Sequence, residues 1–272
     1  MAATEATGNI GMEPLLSFEN KDPVTPIFMT VLKRDSKKEI IVTFSGTQGE
    51  DELMEEVKHI SPQDYDIHNI RGAKVFEFFY QHYLVDFRKE LQSQLKAILQ
   101  SEDHKGYRVV FTGHSLGGAL TVHAASDMIN SKIVDNNQVY IYTFGQPRVG
   151  NEEFNQGYLH KVTENYRVVH GNDPVAHLPP CVPDFHDGCV ISGFLIPIFP
   201  YHASTEIFYE KDMSSFTTCD SKNGEDSTCS DKSFNKDIED HLNYFDIHIG
   251  VYYQTRAGSE EIKGKIQNLL KS

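Results

Sequence analysis

Residues 107–126 read YRVVFTGHSLGGALTVHAAS. A β-branched run, a glycine cluster and an alanine-rich run follow one another with a serine at the join. "YRVVFT" has the composition of a short buried strand and "GGALTVHAASDMI" that of a helix, so the segment predicts a strand, a sharp turn and a helix. A serine held at such a turn needs neighbours without side chains, and Gly113 and Gly117 supply them on either side of Ser115. Gly118 and Ala119 allow the helix to lie close to the strand. The helix start offers free N–H groups and the positive end of the helix dipole, an arrangement suited to a developing oxyanion. Ser115 is therefore read as a nucleophile rather than as a structural turn residue.

The same alternation extends outward. "EIIVTFSGT" (39–47) is a buried strand that ends in a Ser-Gly-Thr turn. Phe76, Phe79, Tyr83, Phe87, Leu91, Leu95 and Ile98 form one apolar helical stripe between about 70 and 100. "QVYIYTF" (138–144) is a strand, "EEFNQGYLHKV" a helix, and "NYRVVHGNDP" a strand that runs into a loop. A short strand is also expected at 26–32, with residues 1–37 otherwise weakly patterned. Strands that alternate with helices predict a mainly parallel sheet covered on both faces, in one α/β domain spanning 1–272.

The 272 residues are 39% hydrophobic and 24% charged, with 39 acidic against 25 basic side chains and a formal net charge of −14. A surface this acidic disfavours nucleic acid and anionic membranes as long-range partners. The longest apolar stretch, "CVISGFLIPIFPY" (189–201), is too short for a bilayer and holds two prolines. Residues 194–199 within it are read as core or inter-strand packing, with the wall of an acyl pocket as the alternative. No basic-then-apolar leader pattern opens the chain. The four cysteines allow three pairings, of which 181–189 and 219–229 close the shortest loops and are expected as disulfides. No C-x₂-C pair is present, and neither a metal nor a cofactor is expected.

A nucleophilic serine needs a base, an acid to orient it and oxyanion donors. On sheets of this kind the chain order is serine, acid, histidine. Asp173 is the acid that fits, since it follows the strand "YRVVH" in the loop "HGNDP". Spacing alone favours His241 as the base but leaves His202 and His248 open.

The motifs "VTFSGT", "TGHSLGGAL", "YTFGQPRVGN", "YRVVHGNDPVAHLPP", "YHASTEIFY", "CDSKNGEDSTCS" and "DHLNYF" occur in this order between residues 38 and 246. In that set the chain resembles the class 3, fungal-lipase-like α/β-hydrolases, and among them the nematode-type members. The resemblance implies an ester or lipid substrate and a triad of Ser115, Asp173 and His241. It also implies an oxyanion hole built from Thr47 and the backbone N–H of Leu116. Residues 48–60 correspond to the family's lid and its transient contact with a lipid interface. Here that segment is crowded with Glu50, Asp51, Glu52, Glu55 and Glu56, a composition that favours dispersed or short-chain esters over an anionic lipid surface. Ser45 stands where family members commonly have arginine, and only about 38 residues precede the "IIVTFSGT" strand, fewer than is usual in the family. The resemblance and the cysteines together favour an extracellular protein. The expected function is that of a triacylglycerol-lipase-type hydrolase, with a feruloyl-type or other carboxylesterase, or a non-catalytic binding protein on the same fold, as alternatives.

Overall fold

The computed structural model describes residues 11–20, 26–46, 61–159, 161–180, 182–183, 189–190, 200–202, 205–220, 224–232 and 236–249. Eight strands form the central sheet: β1 (Glu13–Glu19), β2 (Phe28–Arg34), β3 (Glu39–Phe44), β4 (Arg108–His114), β5 (Val139–Phe144), β6 (Glu164–His170), β7 (Thr205–Tyr209) and β8 (Phe216–Thr218). Their spatial order is their sequence order, β1 to β8. Strands β3 to β7 are mutually parallel, while β1, β2 and β8 run antiparallel to their neighbours. The sheet is thus mainly parallel, as the alternation predicts. β1 is a strand that the sequence pattern does not announce. Its side chains are only partly buried, its register slips between Pro14 and Leu16, and Phe18 reaches the core through an edge contact with Phe87, ring centroids 6.0 Å apart.

The helices are α1 (Glu77–Gln81), α2 (Arg88–Gln100), α3 (Leu116–Asn130), α4 (Glu152–Leu159) and α5 (Ile238–Leu242). A six-residue π turn, His82–Phe87, joins α1 to α2. Its cause lies in the apolar stripe. Phe79, Tyr83, Phe87, Leu91 and Leu95 recur strictly every four residues, a step that overshoots the 3.6-residue α period. The wider π turn takes up the overshoot, and all five side chains stay buried.

α3 is buried along its whole length from Leu116 to Ile129, which its small and apolar composition permits. The polar groups it carries inward therefore need partners. Asp127 accepts hydrogen bonds from Tyr83 (2.6 Å), Arg88 Nε (3.0 Å) and Gln92 (3.1 Å), and lies 2.8 Å from His68 Nε2. Burial opposes the charge on Asp127, but its bonds to His68, Tyr83 and Arg88 outweigh that effect and hold the carboxyl below its ordinary range. On β3, buried Glu39 accepts hydrogen bonds from Arg34 and Arg108, each from Nε at 2.6 Å.

Thr121 Oγ1 and the ring of His123 go without a partner among the described residues. The His123 ring sits among Tyr80, Tyr83 and Phe154, with centroids 5.4, 6.2 and 5.4 Å away, and neither ring nitrogen has a partner. The expected Cys219–Cys229 disulfide is present; Cys181, of the expected 181–189 pair, and the 194–199 stretch lie outside the described residues. Among the described residues, no helix is long and apolar enough to cross a membrane.

Burial pushes His123 down from 6.5 to about 3. A group with a depressed folded pKa contributes full stability above its unfolded pKa and loses it as pH falls towards the folded one. Unfolding free energy should therefore decline between about pH 6.5 and 3, with proton uptake on unfolding. His123→Leu removes an unsatisfied imidazole at nearly equal volume and is expected to stabilise the fold by about 1–3 kcal/mol at pH 5. It should also flatten that pH dependence, as read by urea unfolding at several pH values.

Candidate active site

The turn between β4 and α3 is as sharp as its glycines suggest. Ser115 has φ 55° and ψ −127°, a conformation costly for a residue with a side chain. What imposes it is close backbone packing. A Cβ on Gly117 would lie 2.3 Å from the Phe44 carbonyl oxygen, and one on Gly113 would lie 2.3 Å from that of Gly117. The start of α3 is pressed against the end of β3, and both contacts require glycine. The Ser115 N–H donates to the Phe144 carbonyl at 2.9 Å, which anchors the turn to β5. Leu116 is the first residue of α3, so its N–H is one of the four that a helix leaves without an intrahelical partner.

Asp173 lies three residues beyond β6, fully buried. Its Oδ1 accepts the N–H groups of Val175 (2.8 Å) and Ala176 (3.3 Å), and its Oδ2 accepts the Tyr244 hydroxyl (2.7 Å). His241 Nδ1 lies 2.9 Å from Oδ2 and 3.0 Å from Oδ1. Burial opposes ionisation of Asp173, but the attraction to His241, its hydrogen bond and that of Tyr244 prevail and hold the carboxyl well below its ordinary range. With the carboxylate accepting at Nδ1, the tautomer of His241 is set, and Nε2 is left as the basic atom.

Of the candidate histidines, His241 is the one that meets Asp173. His202 Nε2 bonds instead to the Ala176 carbonyl at 2.6 Å, and His248 Nε2 lies 3.6 Å from Glu239. Ser115 Oγ is buried and makes no hydrogen bond, so no hydrogen bond joins it to His241. The link between them is His114. Its ring lies against that of His241, centroids 4.5 Å apart, and its Nε2 donates to the His241 carbonyl at 2.9 Å. Burial, and next the charge of His241, push His114 down to about 3, so it is neutral at any working pH. Thr47 and residues 48–60 lie outside the described residues. Gly46 marks where that segment leaves: its α-carbon faces Ser115, and a Cβ there would stand 2.9 Å from the His114 carbonyl and 3.4 Å from Ser115 Cβ. Ser45 ties the end of β3 to the start of β2 by accepting the Phe28 N–H at 3.0 Å.

Several contributors to the site escaped sequence reasoning. Gly145, with φ 56°, passes so near the acid–imidazole pair that a Cβ would lie 2.7 Å from Asp173 Oδ2 and 2.8 Å from His241 Nδ1. Tyr244 and His114 stand within the segments DHLNYF and TGHSLGGAL, whose pattern alone assigns neither a role. Asp240, next to His241, accepts the Asn172 N–H at 2.8 Å and so ties α5 to the loop of Asp173. The signal for Tyr244 was its place three residues after His241; nothing in the sequence distinguished Gly145 from other turn glycines.

Comparison with known proteins places these features in a family. The lipase (class 3) family pattern matches residues 41–183, more than half of the chain, and the chain belongs to that family. A Caenorhabditis elegans lipase is 29% identical over 236 residues, covering 80% of this chain and 65% of the relative. The Rhizopus oryzae lipase is 32% identical over 225 residues, covering 81% of this chain and 51% of the relative. The chain thus spans about half to two thirds of the length of these curated relatives. The solved structure of Rhizomucor miehei triacylglyceride lipase superposes with a TM-score of 0.70 at 26% identity, over 89% of this chain and 83% of that one. The fold is accordingly the α/β-hydrolase fold of the fungal lipases.

The Gly145 contact generates a test of the site's geometry. Gly145→Ala should separate Asp173 from His241, abolishing the downfield Nδ1 proton resonance in the ¹H NMR spectrum. Far-UV circular dichroism should be unchanged, with a stability cost of about 1–3 kcal/mol for overpacking.

Proposed function

We propose that this class 3 lipase family member is a serine hydrolase of carboxylic esters, of the triacylglycerol-lipase type. Ser115 is the nucleophile, His241 the base and Asp173 the orienting acid. The observation that carries this is the buried Asp173–His241 pair at 2.9 Å, whose imidazole lies 4.5 Å from the ring of His114, the residue before a serine held at φ 55°. A solved neighbour, aligned at a TM-score of 0.68 and 27% identity, is described as a triacylglycerol lipase whose catalytic centre is a serine protease triad.

In the reaction, His241 Nε2 takes the Ser115 proton as Oγ bonds to the ester carbonyl carbon. The tetrahedral oxyanion is received by the Leu116 N–H at the start of α3 and by Thr47, which follows Gly46. Collapse breaks the bond to the alcohol, which leaves with the proton from Nε2. Water then repeats the sequence on the acyl-enzyme and frees the acid. The Ser115–His241 hydrogen bond is one that unliganded hydrolases often lack and that tightens once substrate is bound. Each oxyanion donor contributes about 3 kcal/mol to transition-state stabilisation.

Residues 48–60 act as the lid of this site. Gly46, which faces Ser115, precedes the segment by two residues in sequence, and the segment's five acidic side chains make it a poor partner for an anionic lipid surface. A fungal lipase–inhibitor complex among the structural neighbours is described as a model for interfacial activation in lipases. The acidic composition favours short-chain or dispersed esters here, and it is the observation that keeps a soluble-ester carboxylesterase as the second reading.

Ser115→Ala should abolish hydrolysis of a p-nitrophenyl ester and labelling by a fluorophosphonate probe while the protein stays folded. Hydrolysis near the wild-type rate would overturn the assignment. Rates on a soluble short-chain ester and on an emulsified long-chain glyceride should then be compared. A jump at the emulsion interface marks a lipase, whereas a preference for the soluble ester marks a carboxylesterase.

A further inference from the structure

Glu225 lies inside the loop closed by the Cys219–Cys229 disulfide, yet its side chain is buried at 6% exposure. The loop docks at Gly224, where a Cβ would lie 2.3 Å from the His202 carbonyl. Glu225 accepts from Arg148 through both oxygens, Nε at 3.0 Å and Nη2 at 2.5 Å. It also accepts the His202 N–H at 3.0 Å and lies 3.1 Å from His202 Nδ1. His202, Glu225 and Asp231 bring metal-ligand atoms within 4.8 Å of one another. The Arg148 guanidinium shares that space, with Nη2 3.8 Å from Asp231, so the cluster is built around a fixed organic cation.

Arg148 and His202 direct their other donors at a single target, the backbone just after Asp173. His202 Nε2 bonds to the Ala176 carbonyl at 2.6 Å. Arg148 Nη1 bonds to those of His177 (2.6 Å) and Pro179 (3.1 Å), and the Arg148 N–H to that of Leu178 (2.7 Å). Four successive carbonyls are held. The same loop holds Asp173 through the N–H groups of Val175 and Ala176. One side of the loop is gripped by the Glu225 cluster while the other grips the acid.

We propose that Glu225 is a positioning residue for Asp173. Through Arg148 and His202 it fixes the 176–179 backbone, and with it the N–H groups that keep the carboxylate facing His241. The proposal rests on the triad assigned above. A catalytic position supported through a polar chain of this kind loses rate when one link is loosened, because small misplacements of the acid are costly.

The test is a double-mutant cycle on a soluble p-nitrophenyl ester with Glu225→Gln, Asp173→Asn and the double variant. Glu225→Gln alone should lower kcat about tenfold with KM within about twofold, and in the Asp173→Asn background it should change kcat by less than about twofold. An equal loss in both backgrounds, or an unchanged kcat in the single variant, overturns the proposal. Near wild-type kcat for Asp173→Asn alone instead overturns the triad on which it rests. Should Glu225→Gln not fold, Arg148→Lys, which keeps the charge but loses the fork that spans two carbonyls, enters the same cycle with the same criteria.

Discussion

The backbone of α3 approaches the end of β3 so closely that no side chain fits between them. Phe44 and Ser45 present their carbonyls to Gly117, Gly117 presents its own to Gly113, and Ser115 is left at φ 55° because no relaxed conformation connects β4 to α3 at that separation. Strain of this kind costs about 1–3 kcal/mol and persists only where the surroundings over-determine it. Here they do: β3, β4 and β5 pair in continuous parallel register, and the fully buried α3 is packed across them. Everything else in the site is arranged around this fixed serine.

The second constraint is electrostatic. Asp127, Asp173, Glu39 and Glu225 are all buried carboxylates, and each is surrounded by donors or cations rather than left alone. Removing one partner from such a group is costly, since an uncompensated charge then stays in a medium that solvates it poorly. The four differ in what they serve. Asp127 and Glu39 fasten α3 and the sheet, whereas Asp173 orients an imidazole and Glu225 holds the loop that carries Asp173. His114 and His123 show the complementary case: with no carboxylate bonded to either ring, burial drives both to the neutral form.

Local pattern made the elbow legible, because the glycines that the turn requires are adjacent to Ser115 and sit between a β-branched run and an alanine-rich one. Asp173 was legible for a related reason, as the carboxylate after a strand end. The base was only partly legible from spacing, which favoured His241 without singling it out, since 68 residues separate it from Asp173 and five histidines follow that acid in the chain. Only the folded chain, or a resemblance that encodes it, distinguishes them. Gly145 and Glu225 were invisible for a stronger reason. Their importance lies in what they approach, the acid–imidazole pair in one case and a distant arginine in the other, and neither approach leaves a periodic trace. β1 escaped notice because a half-exposed edge strand needs little hydrophobic alternation.

The eight strands lie in space in the order in which they occur along the chain. No strand must wait for a later one to be inserted beside it, so the sheet can grow by addition at one edge as the polypeptide leaves the ribosome. Under that order of assembly the serine turn is complete once β5 has joined, near residue 144, while the imidazole arrives almost a hundred residues later on α5. A nascent chain would hold Ser115, the proposed nucleophile, in place long before it holds His241, its proposed base. On the proposed triad, chemistry is thereby deferred until α5 has been made, a form of latency that needs no inhibitor.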